Sequence, residues 1–355
     1  MESNLKRFQS ELKSRDFPCA LVSNAENLRW MLGFNGSFGF AIITPNQAIF
    51  VTDSRYKIQA LSQVKDAEVI SFASGQTLLD VLKGQFSNLN ITKLGFESGI
   101  SFATYEQWKA AFSGIEMVSL GDTLNSLRKI KAPWEITKIK ESCKLADACI
   151  QHASRMIQVG VSEFDIGLDI EFFFRRNGAL IGFDPIVASG ANSAKPHGRA
   201  TEKLIERGDF VTLDLGGILD GYASDITRTY IVGEASERHS EIYKQVLRAE
   251  EEAIQMLHAG KNGREADQLA RDILNEKDLG QYFGHSLGHG LGCDVHDPGR
   301  LHFSADEPLA VGQVWTVEPG VYIEGFGGVR IEDDVLITES GPEILTITPK
   351  HLTVL

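Results

Sequence analysis

Four carboxylates stand where a buried β-strand should carry only apolar side chains. Asp214 interrupts V-T-L-D-L-G and Glu318 interrupts V-W-T-V-E-P-G, both otherwise runs of β-formers. An ionised carboxylate in such a run is costly unless it is paired or bound to a metal. Asp225 and Glu332 follow in the next strand-like segments, S-D-I-T-R-T and V-R-I-E-D-D. Neighbouring strands lie about 4.8 Å apart, so two hairpins could bring all four acids to one locus. Four acids at one point repel each other, and two divalent cations, with carboxylates bridging them, would relieve that repulsion. The alternative is a structural ion-pair cluster, Asp225 with Arg228 and Glu332 with Arg330.

The two segments echo each other. Laying Gly208 on Gly312 aligns G-D-F-V-T-L-D-L-G with G-Q-V-W-T-V-E-P-G, with glycine at both ends, a shared threonine, and Asp214 on Glu318. Short glycine-ended strands match by chance, so the weight lies in the acid that both carry. Histidine supplies the next candidate ligand. The segment G-H-S-L-G-H-G-L-G-C-D-V-H-D-P holds His285, His289 and His296, three of the nine histidines in the chain. Its glycine density predicts looped or extended backbone, and the clustering points to a metal or catalytic site rather than to satisfied core residues. His197, between Pro196 and Gly198, reads as a turn residue at the mouth of that site or as a plain surface histidine.

The rest of the chain sets the frame. Its 355 residues exceed one compact core, and 43% apolar content is that of an ordinary soluble protein. Lys and Arg total 35 against 48 Asp and Glu, a net charge of -13 that argues against a nucleic-acid partner. No stretch approaches the roughly 18 apolar residues of a membrane span. The opening segment 1–16 is charged and amphipathic, without the apolar core of a leader, which predicts a cytoplasmic protein. Cys19, Cys143, Cys149 and Cys293 form no C-x-x-C pair and read as buried apolar residues in a reducing compartment.

Patterning predicts helices over 3–15, 78–82 and 105–112, strands over 20–23 and 93–96, and a hairpin of 40–43 with 48–52 around Thr44-Pro45-Asn46. That is an α/β unit with a mixed sheet. A break follows at L-R-K-I-K-A-P-W, residues 127–134, and places the domain boundary near 125. Pro133 with Glu135 starts a helix expected to run to Val159, and Ser162 with Asp165 starts another, ending near Gly178. Beyond it, strands are expected over 183–189, 209–216, 222–232, 314–322 and 329–337, with helices over 237–258 and 263–275.

Asp214, Asp225, His289, Glu318 and Glu332, within V-T-L-D-L-G, S-D-I-T-R-T, G-H-S-L-G-H-G, V-E-P-G-V-Y and G-G-V-R-I-E-D-D, resemble the dinuclear site of the pita-bread metallopeptidases. That family comprises methionine aminopeptidase, aminopeptidase P and prolidase. The resemblance covers essentially the whole chain. It implies an α/β N-terminal domain of the creatinase/prolidase type over 1–125 and an α+β pita-bread catalytic domain over 126–355. The N-terminal unit, its Asp53-Ser54-Arg55-Tyr56 string, and His197 and His296 in P-H-G and V-H-D-P resemble the proline-specific branch.

By that resemblance Asp214 holds one metal, His289 and Glu318 the other, and Asp225 and Glu332 bridge them. His285, Tyr322 and Arg330 match positions lining the site or the proline pocket. Two divalent ions would activate a water and polarise the scissile carbonyl. Glu318 is then the proton shuttle, and His197 and His296 steady the carbonyl oxygen. An oxygen-rich ligand set without thiolate favours manganese, with cobalt or zinc as alternatives. The expected activity is removal of the first residue from peptides with proline second, an Xaa-Pro aminopeptidase. A prolidase restricted to Xaa-Pro dipeptides is the alternative, and a metal-free binding module of the same fold is the reading from another class. The family also implies a homodimer.

Overall fold

The computed structural model describes residues 2–355 and divides into two compact units, one ending at Leu127 and the other running from Arg128 to Leu355. In the first unit, strand Ala20–Val22 sits inside a six-stranded mixed sheet. It pairs antiparallel with Phe40–Ile43 and parallel with Lys93–Phe96. The hairpin of Phe40–Ile43 with Ala48–Asp53 closes at Thr44, whose hydroxyl accepts the Asn46 and Gln47 N–H groups. Leu21, Ile42, Val51, Leu94 and Trp108 share one buried cluster in this unit. The helix expected over 78–82 extends to Leu78–Asn88, because Thr77 caps its start and Leu82 and Phe86 bury one face.

The second unit opens on helix Pro133–Ser154, with proline in its first turn and the Glu135 carboxylate accepting the Ala132 N–H at 2.9 Å. The helix stops at Ser154, short of the expected Val159. Ile157 turns inward to be buried, Gly160 adopts φ 88°, and its N–H bonds the Ile205 carbonyl, so the chain leaves the helix axis. Helix Glu163–Arg176 begins where the sequence places it, with Ser162 accepting the Asp165 N–H. The helix expected to reach 258 ends at Gln255, and Gly263–Asn275 follows.

Two antiparallel hairpins form the middle of this unit. Phe210–Leu215 pairs with Ile226–Ile231, placing Asp214 opposite Thr227. Val314–Val317 pairs with Asp333–Thr338, placing Val317 opposite Asp333. Ile150, Ile170, Leu213 and Ile226 share one core beside the first hairpin. Val246, Ile254, Leu274, Val317 and Val335 share another beside the second.

Three strands expected to be continuous are broken, and an acid lies in each break. The 222–232 segment divides into Tyr222–Ala223 and Ile226–Ile231, with Asp225 between. The 314–322 segment divides into Val314–Val317 and Gly320–Ile323 at Glu318. The 329–337 segment divides into Gly327–Arg330 and Asp333–Thr338 at Glu332. Each first or second piece pairs elsewhere: Tyr222–Ala223 with Gly217–Leu219, and Gly320–Ile323 with Gly327–Arg330. Pro319 has no N–H to extend a ladder, which ends pairing beside Glu318. The bends free these carboxylates from the pleat, whereas Asp214 stays in an unbroken strand.

The hairpins join edge to edge at Thr227. Its carbonyl accepts the Glu332 N–H at 3.2 Å, and its hydroxyl donates to Glu332 Oε2 at 2.6 Å. Behind the joint lies Arg228, fully buried. Its guanidinium donates to the carbonyls of Thr227, Glu332 and Thr348 and to Asp333 Oδ1 at 2.7 Å. Asp333 is also 2.8 Å from Lys350 Nζ. No helix among the described residues is long and apolar enough to cross a membrane. All four cysteines are free and buried.

Arg228→Met should lower stability by about 3 kcal/mol, because it leaves buried carbonyls without their donor and takes one of its two cations from Asp333. Denaturant unfolding of the variant measures this, and an unchanged midpoint would show that Arg228 carries no such load.

Candidate metal centre

Asp225, His289 and Glu332 each present a ligand atom, and these three atoms lie within 4.8 Å of one another. His289 sits on strand Gly288–Gly290, held by its N–H on Thr316 Oγ1 at 3.0 Å. Its Nδ1 faces the Gly290 carbonyl at 3.0 Å. A carbonyl can only accept, so Nδ1 carries the proton and Nε2 is left as a lone-pair donor. That Nε2 points between Asp225 Oδ2 and Glu318 Oε1, 3.7 Å from each. Fixing the tautomer through the far nitrogen is how metal-binding histidines are oriented. Burial lowers the His289 pKa to about 4, so the ring is neutral near pH 7.

The carboxylates shift the other way. Burial, then the charges of Glu332 and Asp214, raise Asp225 well above the ordinary range. Burial, with Glu318 and Asp214, raises Glu332. Burial pushes Glu318 up to about 8. Asp214 is the acid that finds a cation: its Oδ2 meets Arg330 Nη2.

The ion-pair cluster considered from the sequence is not what forms. Arg228 is spent on Asp333 and backbone carbonyls rather than on Asp225, and Arg330 binds Asp214 rather than Glu332. Asp214 Oδ1 and Asp225 Oδ1 are buried with no hydrogen-bond partner. Buried polar atoms are almost always satisfied, so bare carboxylate oxygens in a cluster that also holds a neutral imidazole fit hard divalent cations.

The residues expected to line the site form a chain of hydrogen bonds beside it. His285 Nδ1 faces the Ser286 carbonyl at 2.9 Å, so its Nε2 accepts the Tyr322 hydroxyl, also at 2.9 Å. The Tyr322 oxygen in turn accepts Arg330 Nη1 at 2.7 Å. Burial and the Arg330 charge lower His285 to about 4, and burial raises Tyr322 to about 12. Arg330 also donates to the Pro196 carbonyl at 3.1 Å, which ties down the exposed turn carrying His197. His197 is near enough to depress His285 electrostatically. His296 is exposed, with its ring 4.4 Å from that of His289.

Sequence reading passed over the supports. Thr227, two residues after Asp225, holds Glu332 by its hydroxyl. Thr316, the threonine shared by the internal echo, donates toward Glu318 Oε1 at 3.4 Å and accepts from His289. Asp334, the last acid of V-R-I-E-D-D, accepts the Asp225 N–H at 3.0 Å and the Cys143 thiol at 3.3 Å. The repeated threonine and the acidic doublet were the available signals.

Buried carboxylates, three of them at strand breaks, together with one neutral imidazole are the makings of a divalent-metal hydrolase. Residues 137–339 match the model of Metallopeptidase family M24, and residues 4–130 match the Creatinase/Prolidase N-terminal domain. The chain therefore belongs to Metallopeptidase family M24, with a creatinase/prolidase-type domain ahead of its pita-bread catalytic domain. Its structure resembles that of a Bacillus anthracis Xaa-Pro dipeptidase, at TM-score 0.93 and 43% identity over 99% of both chains. It resembles a Thermotoga maritima X-Pro aminopeptidase equally in fold, at TM-score 0.93 and 36% identity over 100% of both. A Pyrococcus furiosus Xaa-Pro dipeptidase is 38% identical over 316 residues, 88% of each chain.

The shifts give a signed pH dependence for the metal-free protein. Below pH about 6.5 the depressed histidines make stability rise with pH, opposing the carboxylates. Above it the histidines are neutral in both states. The raised carboxylates then bind more protons folded than unfolded, so stability should fall between pH 6.5 and 8. Thermal scans in chelator should show this fall, and saturating manganese should abolish it, adding about 2.7 kcal/mol at a hundredfold excess over Kd. A metal-free melting temperature that rises across that window would contradict the assignment.

Proposed function

We propose that this chain is an exopeptidase that hydrolyses the bond between an N-terminal residue and a following proline. One observation carries the reading: Asp225, His289 and Glu332 converge within 4.8 Å, beside Glu318 and Asp214, with no cation except Arg330 hydrogen-bonded into that cluster among the described residues. The relatives that act on Xaa-Pro substrates support the choice of substrate.

Asp214, Asp225, His289, Glu318 and Glu332 would hold two divalent ions, manganese by the hardness of the donor set. When bound, these ions supply a nucleophilic water at neutral pH and Lewis acidity toward the scissile carbonyl. Glu318 Oε1 takes a proton from the attacking water and returns it to the leaving prolyl nitrogen. Nothing but water is consumed. His296 and His197 donate hydrogen bonds to the carbonyl oxygen as negative charge develops there, each worth a few kcal/mol. The Tyr322 ring and Arg330, held in one hydrogen-bonded chain with His285, wall the side where the proline ring lies. The carboxylate-rich centre favours the substrate's free α-amine, which accounts for exopeptidase action.

Removal of the first residue from longer peptides is the primary reading. Restriction to Xaa-Pro dipeptides is the second, favoured by relatives such as the Bacillus anthracis and Pyrococcus furiosus dipeptidases. Chelator-stripped protein reloaded with manganese should release alanine from Ala-Pro and from Ala-Pro-Ala. Release from Ala-Pro alone selects the dipeptidase, and inertness toward both overturns the proposal. Asp225→Asn should lose turnover by at least about 100-fold together with bound metal, while its metal-free form melts no lower than the parent. Full activity in that variant would remove the dinuclear model.

A cytoplasmic location and a homodimer also belong to the proposal. Phe164, Leu168 and Phe172, at four-residue spacing on helix Glu163–Arg176, are exposed and form an apolar row. Sedimentation velocity at micromolar concentration should give a dimer, and a monomer throughout that range would refute it.

A further inference from the structure

The string L-R-K-I-K-A-P, conspicuous in the sequence as a boundary, has no part in the chemistry above. Its two buried cations nonetheless reach the residue after His296. Arg128 donates to Asp297 Oδ1 through Nη2 at 2.5 Å and Nε at 3.2 Å. Lys131 Nζ donates to Asp297 Oδ2 at 3.0 Å. The three side chains are each under 10% exposed, so the pairs are little screened. Lys131 is itself fixed by its backbone N–H on the Gly312 carbonyl at 2.9 Å.

The place that this carboxylate anchors is weakly held by backbone pairing. Strand Gly288–Gly290 pairs with Asp297–Leu301, but the register jumps between His289 and Gly290, so Gly290 faces Asp297 while His289 faces Arg300. Such an irregularity leaves residues unpaired and lets the strand bend. The chain also comes unusually close here. A β-carbon on Gly292 would stand 2.5 Å from Asp297 Oδ2 and 2.9 Å from Lys131 Cε. His296 lies in the bend that leads into strand Asp297–Leu301, and its side chain is exposed where that of Asp297 is buried, so the two face opposite ways. With Asp297 locked inward, the exposed His296 ring is set against His289 at 4.4 Å.

We propose that Arg128 and Lys131 are positioning residues for hydrolysis, acting through Asp297 to fix the His296 ring where it meets the scissile carbonyl. The inference rests on the proposed reading of His296 as a substrate-contacting residue. An unclamped ring would sample several orientations, and an oxyanion donor displaced by about 1 Å loses much of its value.

The test is a double-mutant cycle on manganese-loaded full-length protein with Ala-Pro. Arg128→Met and Lys131→Met should each lower kcat about 10- to 100-fold with little change in KM or metal content. Arg128→Lys should recover part of the loss. In a His296→Ala background, Arg128→Met should cost almost nothing further, because the ring through which it acts is gone. Losses that multiply in that background would overturn the proposal, since a general weakening of the fold does not depend on His296.

A second measurement needs no turnover. Histidine-selective carbon-13 labelling of the metal-free protein should show one ring signal, absent in His296→Ala, that broadens or shifts in Arg128→Met while the His351 signal stays put. An unmoved His296 signal with only a lower melting temperature would overturn it equally. If the parent cleaves no Xaa-Pro peptide, the functional reading falls, and this ring signal still decides the clamp.

Discussion

Burying several carboxylates at one point with too few cations is the constraint around which this catalytic unit is built. Asp225, Glu318 and Glu332 all have raised pKa values, and burial is the largest cause for each. Arg330 answers Asp214, and Arg228, though adjacent in sequence to the cluster, is committed to Asp333 and to carbonyls. The protein alone therefore leaves its own interior under-compensated. Such a locus is stable when protonated or when filled by divalent ions, and a folded chain would retain it only where the ions have work to do.

The backbone follows from the same need. Asp214 reaches the locus from an unbroken strand, whereas the other three acids reach it where strands bend. Asp225, Glu318 and Glu332 sit in such bends, each where one strand stops and a second begins in another sheet. Thr227 then closes the gap between the hairpins, bonding the Glu332 backbone and its carboxylate at once. Neutral histidines complete the chemistry. A carbonyl on Nδ1 leaves Nε2 of His289 free to bind a metal and Nε2 of His285 free to accept from Tyr322.

Much of this was legible in the sequence, because an acid inside a run of β-formers is a contradiction that only a few chemistries resolve. Asp214, Asp225, Glu318 and Glu332 announced themselves that way, and glycine density correctly gave looped or extended backbone around His285 and His289. The helix starts at Pro133 and Ser162 were readable from capping chemistry, which is local. The strand breaks were not readable. Apolar patterning continues through Asp225, Glu318 and Glu332, and the change of pairing partner that bends each strand is a tertiary choice. The alternative ion-pair reading joined Arg228 and Arg330 to the nearest acids in sequence. Their true partners, Asp333 and Asp214, are set by which hairpin edge abuts which, something that spacing does not encode. Asp297 and its cations were hidden for the same reason, since the partners lie far apart along the chain.

The most direct test of the account is crystallographic. Crystals grown in chelator and soaked in manganese would be measured on both sides of the manganese absorption edge. Two anomalous peaks are expected, both within coordination distance of Asp225 and Glu332, one also beside Asp214 and the other beside His289 and Glu318. A single peak shared by none of these carboxylates, or a centre that stays empty with the Arg330–Asp214 pair intact, would contradict it.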